Sequence, residues 1–280
     1  TIMRDRDVVQ LGIGGLPSAV ATAMTDAGLK DLGIHSEMLN YGLINLIESG
    51  MVTNRYKTLP ADKGKSVWTF AFPVDVDWYY DTIHRNQNLA VYDIGYTNNF
   101  QTLTRLDNMI AINNFVAVDL LGQMSCGFYE KRPISSTGGF FQFIVGAAQS
   151  KGGRGVGCAT TRSKHGTSRI VPFLPEGCSV DVPAQFVSHV CTEYGIVNLR
   201  GLNGYERAAA IISIAHPEDR EWLTKAAYEH GLLPPRFPVS MLPREGGARR
   251  YPAAAERRNY KIPVNSDFYG FDWDPFMSGK

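Results

Sequence analysis

Short apolar segments of strand length alternate with helical patterns along most of this chain. That alternation restricts it to an α/β architecture with an open, largely parallel sheet and right-handed crossovers. Strands are predicted at residues 8–13, 32–37, 66–70, 89–92, 109–113, 180–182 and 189–192. Helices are predicted at 43–48, 75–85, about 98–106, 140–149 and 205–215, and again after Pro217. Another opens at Pro17, with Val20, Ala23 and Met24 on one face. Past about Leu232 the sequence turns Pro-rich and loses periodicity, ending in the aromatics Phe268, Tyr269, Phe271 and Trp273. Residues 1–231 therefore read as one catalytic-size domain. Residues 232–280 read as an extended arm, unable to build a core of its own, that packs on that domain or on a neighbour. No internal repeat is present.

Composition narrows the partners. A net charge of +1 over 280 residues gives no electrostatic footprint for nucleic acid or an anionic membrane. The short basic cluster Arg249, Arg250, Arg257 and Arg258 is read as a solvated surface. No apolar run reaches the roughly 20 residues of a membrane helix. The cysteines Cys126, Cys158, Cys178 and Cys191 form neither a Cys-x-x-Cys pair nor a ligand-spaced set, so no metal site and no disulfide framework is expected, and a reducing cytoplasm fits. The start, Thr1 to Asp5, lacks both an initiator and a leader-like segment and reads as a cut edge.

Four segments have chemistry to offer. Gln10 to Pro17 is a strand running through Ile13, Gly14, Gly15 and Leu16 into a helix, where bare backbone approaches a ligand and the helix start favours an anion. It lacks the Gly-Lys-Ser/Thr ending of a nucleotide-phosphate loop, and a plain tight turn explains it equally well. Glu37 follows Gly33-Ile34-His35-Ser36 at the carboxyl end of a predicted parallel strand, where open α/β sheets place ligand crevices. A regular strand would set His35 and Glu37 on one face, as a hydrogen-bonded pair or with His35 orienting Glu37 from behind, whereas a lone Glu at a strand end is more often a surface or capping residue. Ser135 to Phe140 is a loop before a helix whose free N–H groups are candidate oxyanion donors or a plain turn. Asn98 is either a donor or the cap of the helix after it.

Taken in order, these segments resemble the acetyl-CoA hydrolase/transferase branch of the family I CoA-transferases, which includes 4-hydroxybutyrate, butyrate and acetate CoA-transferases. The resemblance runs from about Val8 to Ala227, to the C-terminal half of such proteins. It is carried by blocks at residues 11–20, 32–38, 52–54, 111–113, 118–123, 137–139, 168–172, 190–195 and 215–217. It implies the CoA-transferase-type (NagB/RpiA-like) fold, with helices on both faces of the sheet. It also implies a CoA-transferase that moves coenzyme A between an acyl-CoA and a carboxylic acid. Glu37 becomes the nucleophile, passing through an acyl anhydride to a glutamyl-CoA thioester. This suits the residue, because a carboxylate with an ordinary pKa near ~4.3 is ionised at pH 7 without a companion base. Asn98 and the Gly139 N–H become oxyanion donors. Gly138, Gly139, Phe140 and Lys164 are expected to contact CoA, while Ile13, Gly14, Gly15, Leu16 and His35 line the acyl or carboxylate site. Coenzyme A is substrate here, with no tightly bound cofactor and no metal expected.

The chain departs from that pattern after the double glycine. Phe140-Phe141-Gln142-Phe143 and Val145 stand where relatives carry an acidic residue and an Arg, and Gly122 to Cys126 replaces a more polar segment. A bulkier, more apolar acyl pocket is expected. The resemblance also implies an N-terminal half of similar fold, on a missing domain or a separate subunit, and an oligomeric assembly. An acyl-CoA hydrolase using the same Glu37 and a non-catalytic CoA-binding subunit are the rival functions. A nicotinamide dehydrogenase fits poorly, because the glycine turn lacks its ribose-binding acid.

Overall fold

The computed structural model describes residues 2–13, 15–71, 76–129, 132–235 and 237. β1 (Val8–Leu11) leads to α1 (Gly15–Asp26), and β2 (Gly33–Ile34) returns beside β1 in parallel. After α2 (Tyr41–Glu48), the parallel pair β3 (Ser66–Trp68) and β4 (Leu89–Val91) brackets α3 (Val76–Ile83). The short helices α4 (Ile94–Thr97) and α5 (Phe100–Thr104) deliver the chain to β5 (Met109–Asn114). Next come β6 (Ala117–Asp119), β7 (Met124–Ser125) and the hairpin β8 (Phe128–Tyr129) with β9 (Arg132–Pro133). Then follow α6 (Phe140–Gln149), β10 (Arg154–Cys158) and β11 (Ile170–Val171), the last joining β6 and β7 in a small sheet. β12 (His189–Thr192), β13 (Gly195–Asn198), α7 (Gly204–Ser213) and α8 (Pro217–Glu229) complete the described fold.

The main sheet has the order β13-β12-β10-β5-β1-β2 and is parallel except for β13. Both faces are covered, as a parallel sheet requires. Val9 and Leu11 of β1, with Ile110 and Ile112 of β5, enter one core together with Ala21 and Met24 of α1 and residues of α2. Val8, Met109 and Ala111 point the other way, into a second core with Leu103 of α5 and Phe143 and Ala147 of α6. The period-two alternation of these strands thus divides one apolar run between two cores.

The expected α/β class is what forms, with helices packed on the two faces, and several boundaries move. The strand expected over 32–37 pairs regularly only at Gly33–Ile34. Beyond it the chain transfers from β1 to the neighbourhood of β3, through single bridges from His35 to Val67 and from Met38 to Phe70. His35 and Glu37 nevertheless both turn toward residues 97 and 98, His35 Nε2 meeting the Thr97 carbonyl and Glu37 Oε1 the Asn98 amide. The helix expected over 98–106 is split. Asn98 closes α4, and Asn99 accepts from the Gln101 N–H to start α5. No strand forms over 180–182, where Val182 makes one bridge to Met124 and the Asp181 carboxylate instead accepts from the N–H groups of Cys126 and Gly127. On α1 the buried neighbour of Met24 is Ala21, with Ala23 exposed. The expected arm at 232–280, apart from its first residues, lies outside the described residues, as does Gly14. Among the described residues no helix is long and apolar enough to cross a membrane.

Candidate active site

The carboxyl ends of β1, β2, β5 and β10 open onto a cavity of about 640 Å³. This is the edge at which open parallel sheets bind ligands. The loops leaving those strands supply much of its wall, including Gly12 and Ile13, Glu37 and Met38, Asn114 and Phe115, and Ala159 and Thr160. The loop of residues 134–139 and Phe140 at the start of α6 supply the rest of the rim.

Glu37 sits half-buried in this wall with its backbone pinned, its carbonyl accepting from the N–H groups of Thr69 (3.0 Å) and Phe70 (3.1 Å). Its two carboxylate oxygens are held separately. The Asn98 side-chain amide donates to Oε1 at 3.0 Å, and the Gly139 N–H donates to Oε2 at 3.1 Å. Gly139 is the N-cap of α6, so the unpaired N–H groups of a ten-residue helix begin where the carboxylate lies. Glycine is required there by space. A Cβ on Gly139 would stand 2.6 Å from Glu37 Oε2 and 2.7 Å from Asn98 Nδ2. Its neighbour Gly138 has φ +50°, a conformation that favours glycine. Asn98 can present its nitrogen because its own oxygen is occupied by the Thr97 hydroxyl, which donates to Oδ1 at 3.1 Å.

The turn after β1 is fixed from beneath by amides. Gln10 and Asn113 exchange reciprocal bonds of 2.9 and 2.8 Å across β1 and β5. Asn40 caps α2 through the Leu43 N–H and donates to the carbonyls of Leu11 (3.1 Å) and Gly12 (3.2 Å), while Asn114 donates to that of Ile13 (2.9 Å). Gln10, Asn40 and Asn114 were not singled out from sequence. Their signal is only that amides sit at strand and helix ends, where side chains pair with loose backbone.

The structure brings together Glu37, Asn98, Gly138, Gly139, Phe140 and Ile13, the last 64% exposed at the rim. Gly15 and Leu16 begin α1. Two expected residues lie elsewhere. Lys164 is exposed on the loop between β10 and β11 and is not part of the cavity wall. His35 is wholly buried, its Nε2 bonded to the Thr97 carbonyl at 2.9 Å, and is out of reach of a bound substrate. Arg169 was missed: it lines the cavity, steadied by donation to the Val116 carbonyl at 3.2 Å, and is the one cation among the described wall residues. Cys126 lines the cavity as well, but burial and then the nearby Asp181 push its thiol pKa well up, so it is no rival nucleophile at neutral pH.

The family model of the acetyl-CoA hydrolase/transferase C-terminal domain matches residues 77–227. The chain is 39% identical over 224 residues to a 4-hydroxybutyrate coenzyme A transferase of Clostridium kluyveri, covering 80% of this chain and 51% of that protein. It is 37% identical over 223 residues to a butyryl-CoA:acetate CoA-transferase of Anaerostipes caccae, covering 78% and 49%. The crystal structure of RipA from Yersinia pestis superposes with a TM-score of 0.76 at 36% identity, covering 83% of this chain and 51% of that one. The chain thus spans about half the length of the curated relatives it matches. With a matching family model over more than half its residues and a carboxylate held between two donors at the ligand edge of the sheet, the chain belongs to the acetyl-CoA hydrolase/transferase family.

Proposed function

We propose that this chain supplies the nucleophile-bearing half of a CoA-transferase acting between an acyl-CoA and a carboxylic acid. The carrying observation is the Glu37 carboxylate, held at 3.0 and 3.1 Å by two N–H donors at the wall of the cavity. One oxygen of Glu37 attacks the thioester carbonyl, and collapse expels CoA thiolate and leaves an acyl-glutamyl anhydride. The thiolate then attacks the glutamyl carbonyl, releasing the first carboxylate and leaving a glutamyl-CoA thioester. An acceptor carboxylate repeats the two steps in reverse. In each tetrahedral state formed on Glu37, the charge returns to an oxygen already facing Asn98 Nδ2 or the Gly139 N–H. One such donor is worth on the order of 3 kcal/mol.

Around this centre Met38, Phe70, Phe115, Ile134 and Phe140 give the cavity an apolar side, which suits a hydrocarbon acyl group larger than acetyl. Arg169 is the cation that meets the free carboxylate. The half of the relatives' length that this chain does not span closes the site from the open side.

Peptide mass spectrometry tests the assignment. After incubation with acyl-CoAs and the complementary half, then hydroxylamine or borohydride, modification is expected at Glu37 and is lost in Glu37→Ala. No trapped species with any donor, despite CoA binding, would leave a binding subunit instead. Turnover without added acid would mark a hydrolase using the same Glu37, whereas a transferase needs the acid.

A further inference from the structure

The geometry points to a buried positioning relay behind the nucleophile, in which His35, Asp62 and Tyr96 clamp the Tyr96–Asn98 turn and Thr97 sets the Asn98 amide against Glu37. It rests on Glu37 as the reacting group and adds residues that never touch substrate.

Three consecutive residues of the turn are each held from below. The Tyr96 hydroxyl donates to Asp62 Oδ1 at 3.0 Å. The Thr97 carbonyl accepts from His35 Nε2 at 2.9 Å; because a carbonyl has no proton to give, Nε2 carries the hydrogen. That places His35 Nδ1 toward Asp62, 3.7 Å from Oδ2. The Thr97 hydroxyl donates to Asn98 Oδ1 at 3.1 Å and so must accept from the Thr69 hydroxyl it also contacts. Thr69 in turn donates its N–H to the Glu37 carbonyl at 3.0 Å. The circuit closes on itself. From Glu37 it runs through Thr69, Thr97 and Asn98 back to the Glu37 carboxylate, with His35, two residues from Glu37, bracing Thr97.

Such a circuit matters because an amide is nearly symmetric in shape and opposite in function at its two ends. With Nδ2 toward Glu37, Asn98 donates; rotated, it sets an oxygen against a carboxylate. The Glu37 carboxylate can only accept, and the Thr97 hydroxyl, by donating to Oδ1, holds the amide in the orientation that serves it. His35, Thr97 and Asp62 are wholly buried, so water does not compete for these bonds. Lys57, also buried, bonds the carbonyls of Ile34 and Lys65 at 2.9 Å each and lies 3.9 Å from Asp62 Oδ2, a countercharge to this carboxylate whenever it is protonated.

The near-isosteric Thr97→Val removes the orienting hydroxyl, and a double-mutant cycle with Asn98→Ala isolates its effect. In the natural protein with its complementary half, Thr97→Val is expected to lower kcat about 30-fold with KM changed less than threefold. In the Asn98→Ala background the same change is expected to move kcat less than twofold, since the amide it orients is gone. His35→Gln, which keeps a donor toward the Thr97 carbonyl, is expected within threefold of wild type, and His35→Leu is expected to behave as Thr97→Val. Full activity in Thr97→Val, or losses that multiply in the double variant, would overturn the relay and assign these residues to folding alone. A second arm needs no turnover. By NMR, the side-chain amide protons of Asn98, identified by their absence in Asn98→Ala, should exchange at least tenfold faster in Thr97→Val. Unchanged exchange overturns the relay; faster exchange in a protein whose Glu37 is never trapped upholds the relay and rejects the catalytic assignment.

Discussion

At the scale of single residues, the site depends on the absence of one methyl group. Gly139 has φ −83° and ψ 7°, open to any residue, so alanine there brings no backbone strain. Its Cβ would nevertheless arrive 2.6 Å from Glu37 Oε2, and the carboxylate must swing away from both donors. Gly139→Ala is therefore expected to lower kcat about 100-fold while shifting the melting temperature little. A variant that melts early and is inactive would place the glycine in folding instead. Arg169→Met keeps an unbranched side chain and removes the charge. If the guanidinium receives the acceptor acid, the KM for that acid rises about tenfold or more and the KM for acyl-CoA does not. Glu37 itself stands 61 residues from Asn98 and 102 from Gly139 along the chain, distances that no local pattern encodes. From sequence these three were united only by resemblance to a family. The buried Lys57 and Asp62 left no mark at all, because a charged residue outside any periodic pattern looks like any solvated one until its neighbours are known.

At the scale of elements, what was legible followed from how sharply a segment announces its ends. Helix α6 forms over the expected residues 140–149, since a double glycine precedes a largely apolar run, and β12 forms over the expected 189–192. The break between α4 and α5 was hidden because helical periodicity runs across it. What breaks the helix is the competition of Asn98 and Asn99 side chains for backbone and neighbouring groups. The glycine turn after β1 was read as a ligand loop, but the device that steadies it, Asn40, lies on another element. Asn40 joins the N-terminus of α2 to the carbonyls of Leu11 and Gly12. Asn40→Ala loses a helix cap and frees the turn, and chemical denaturation should register about 1–2 kcal/mol. Weaker substrate binding with kcat nearly intact should accompany it, because the turn is wall and the nucleophile stands on β2's extension. An effect on kcat alone would contradict that division.

At the scale of the whole molecule, the buried charges under the site impose a pH dependence on folding. Burial lowers the Lys57 pKa from 10.5 to about 7, against the opposing attraction of Asp62. Between those values the unfolded chain binds a proton that the folded one does not, so its contribution to stability climbs as pH rises from about 7 toward 10.5. Below about 7 the proton is bound in both states and this slope ends. His35, whose pKa burial lowers, extends the same trend to acid, because below its ordinary 6.5 the unfolded imidazole protonates first. Asp62 adds to it. Burial alone would raise its pKa, yet His35, Lys57 and Tyr96 hold it below 3.8, so its contribution is present above that value and lost as pH falls through the folded one. On the alkaline side burial, together with Asp62, pushes the Tyr96 hydroxyl up to about 12, so its contribution is lost as pH rises above the ordinary 10. Burial also raises the thiols of Cys126, Cys158, Cys178 and Cys191 above their ordinary 9.0, so their contributions fall away above about 9 and the sum is a stability maximum between about 7 and 9. Equilibrium urea unfolding of the chain from pH 6 to 11 should show it. Lys57→Met should flatten the limb between about 7 and 9 by up to 1.4 kcal/mol per pH unit, while leaving the alkaline decline above about pH 9 in place. If the limb persists in that variant, Lys57 is charged in the folded protein at those pH values, and the ammonium is held by Asp62 and the carbonyls of Ile34 and Lys65 strongly enough to offset its burial.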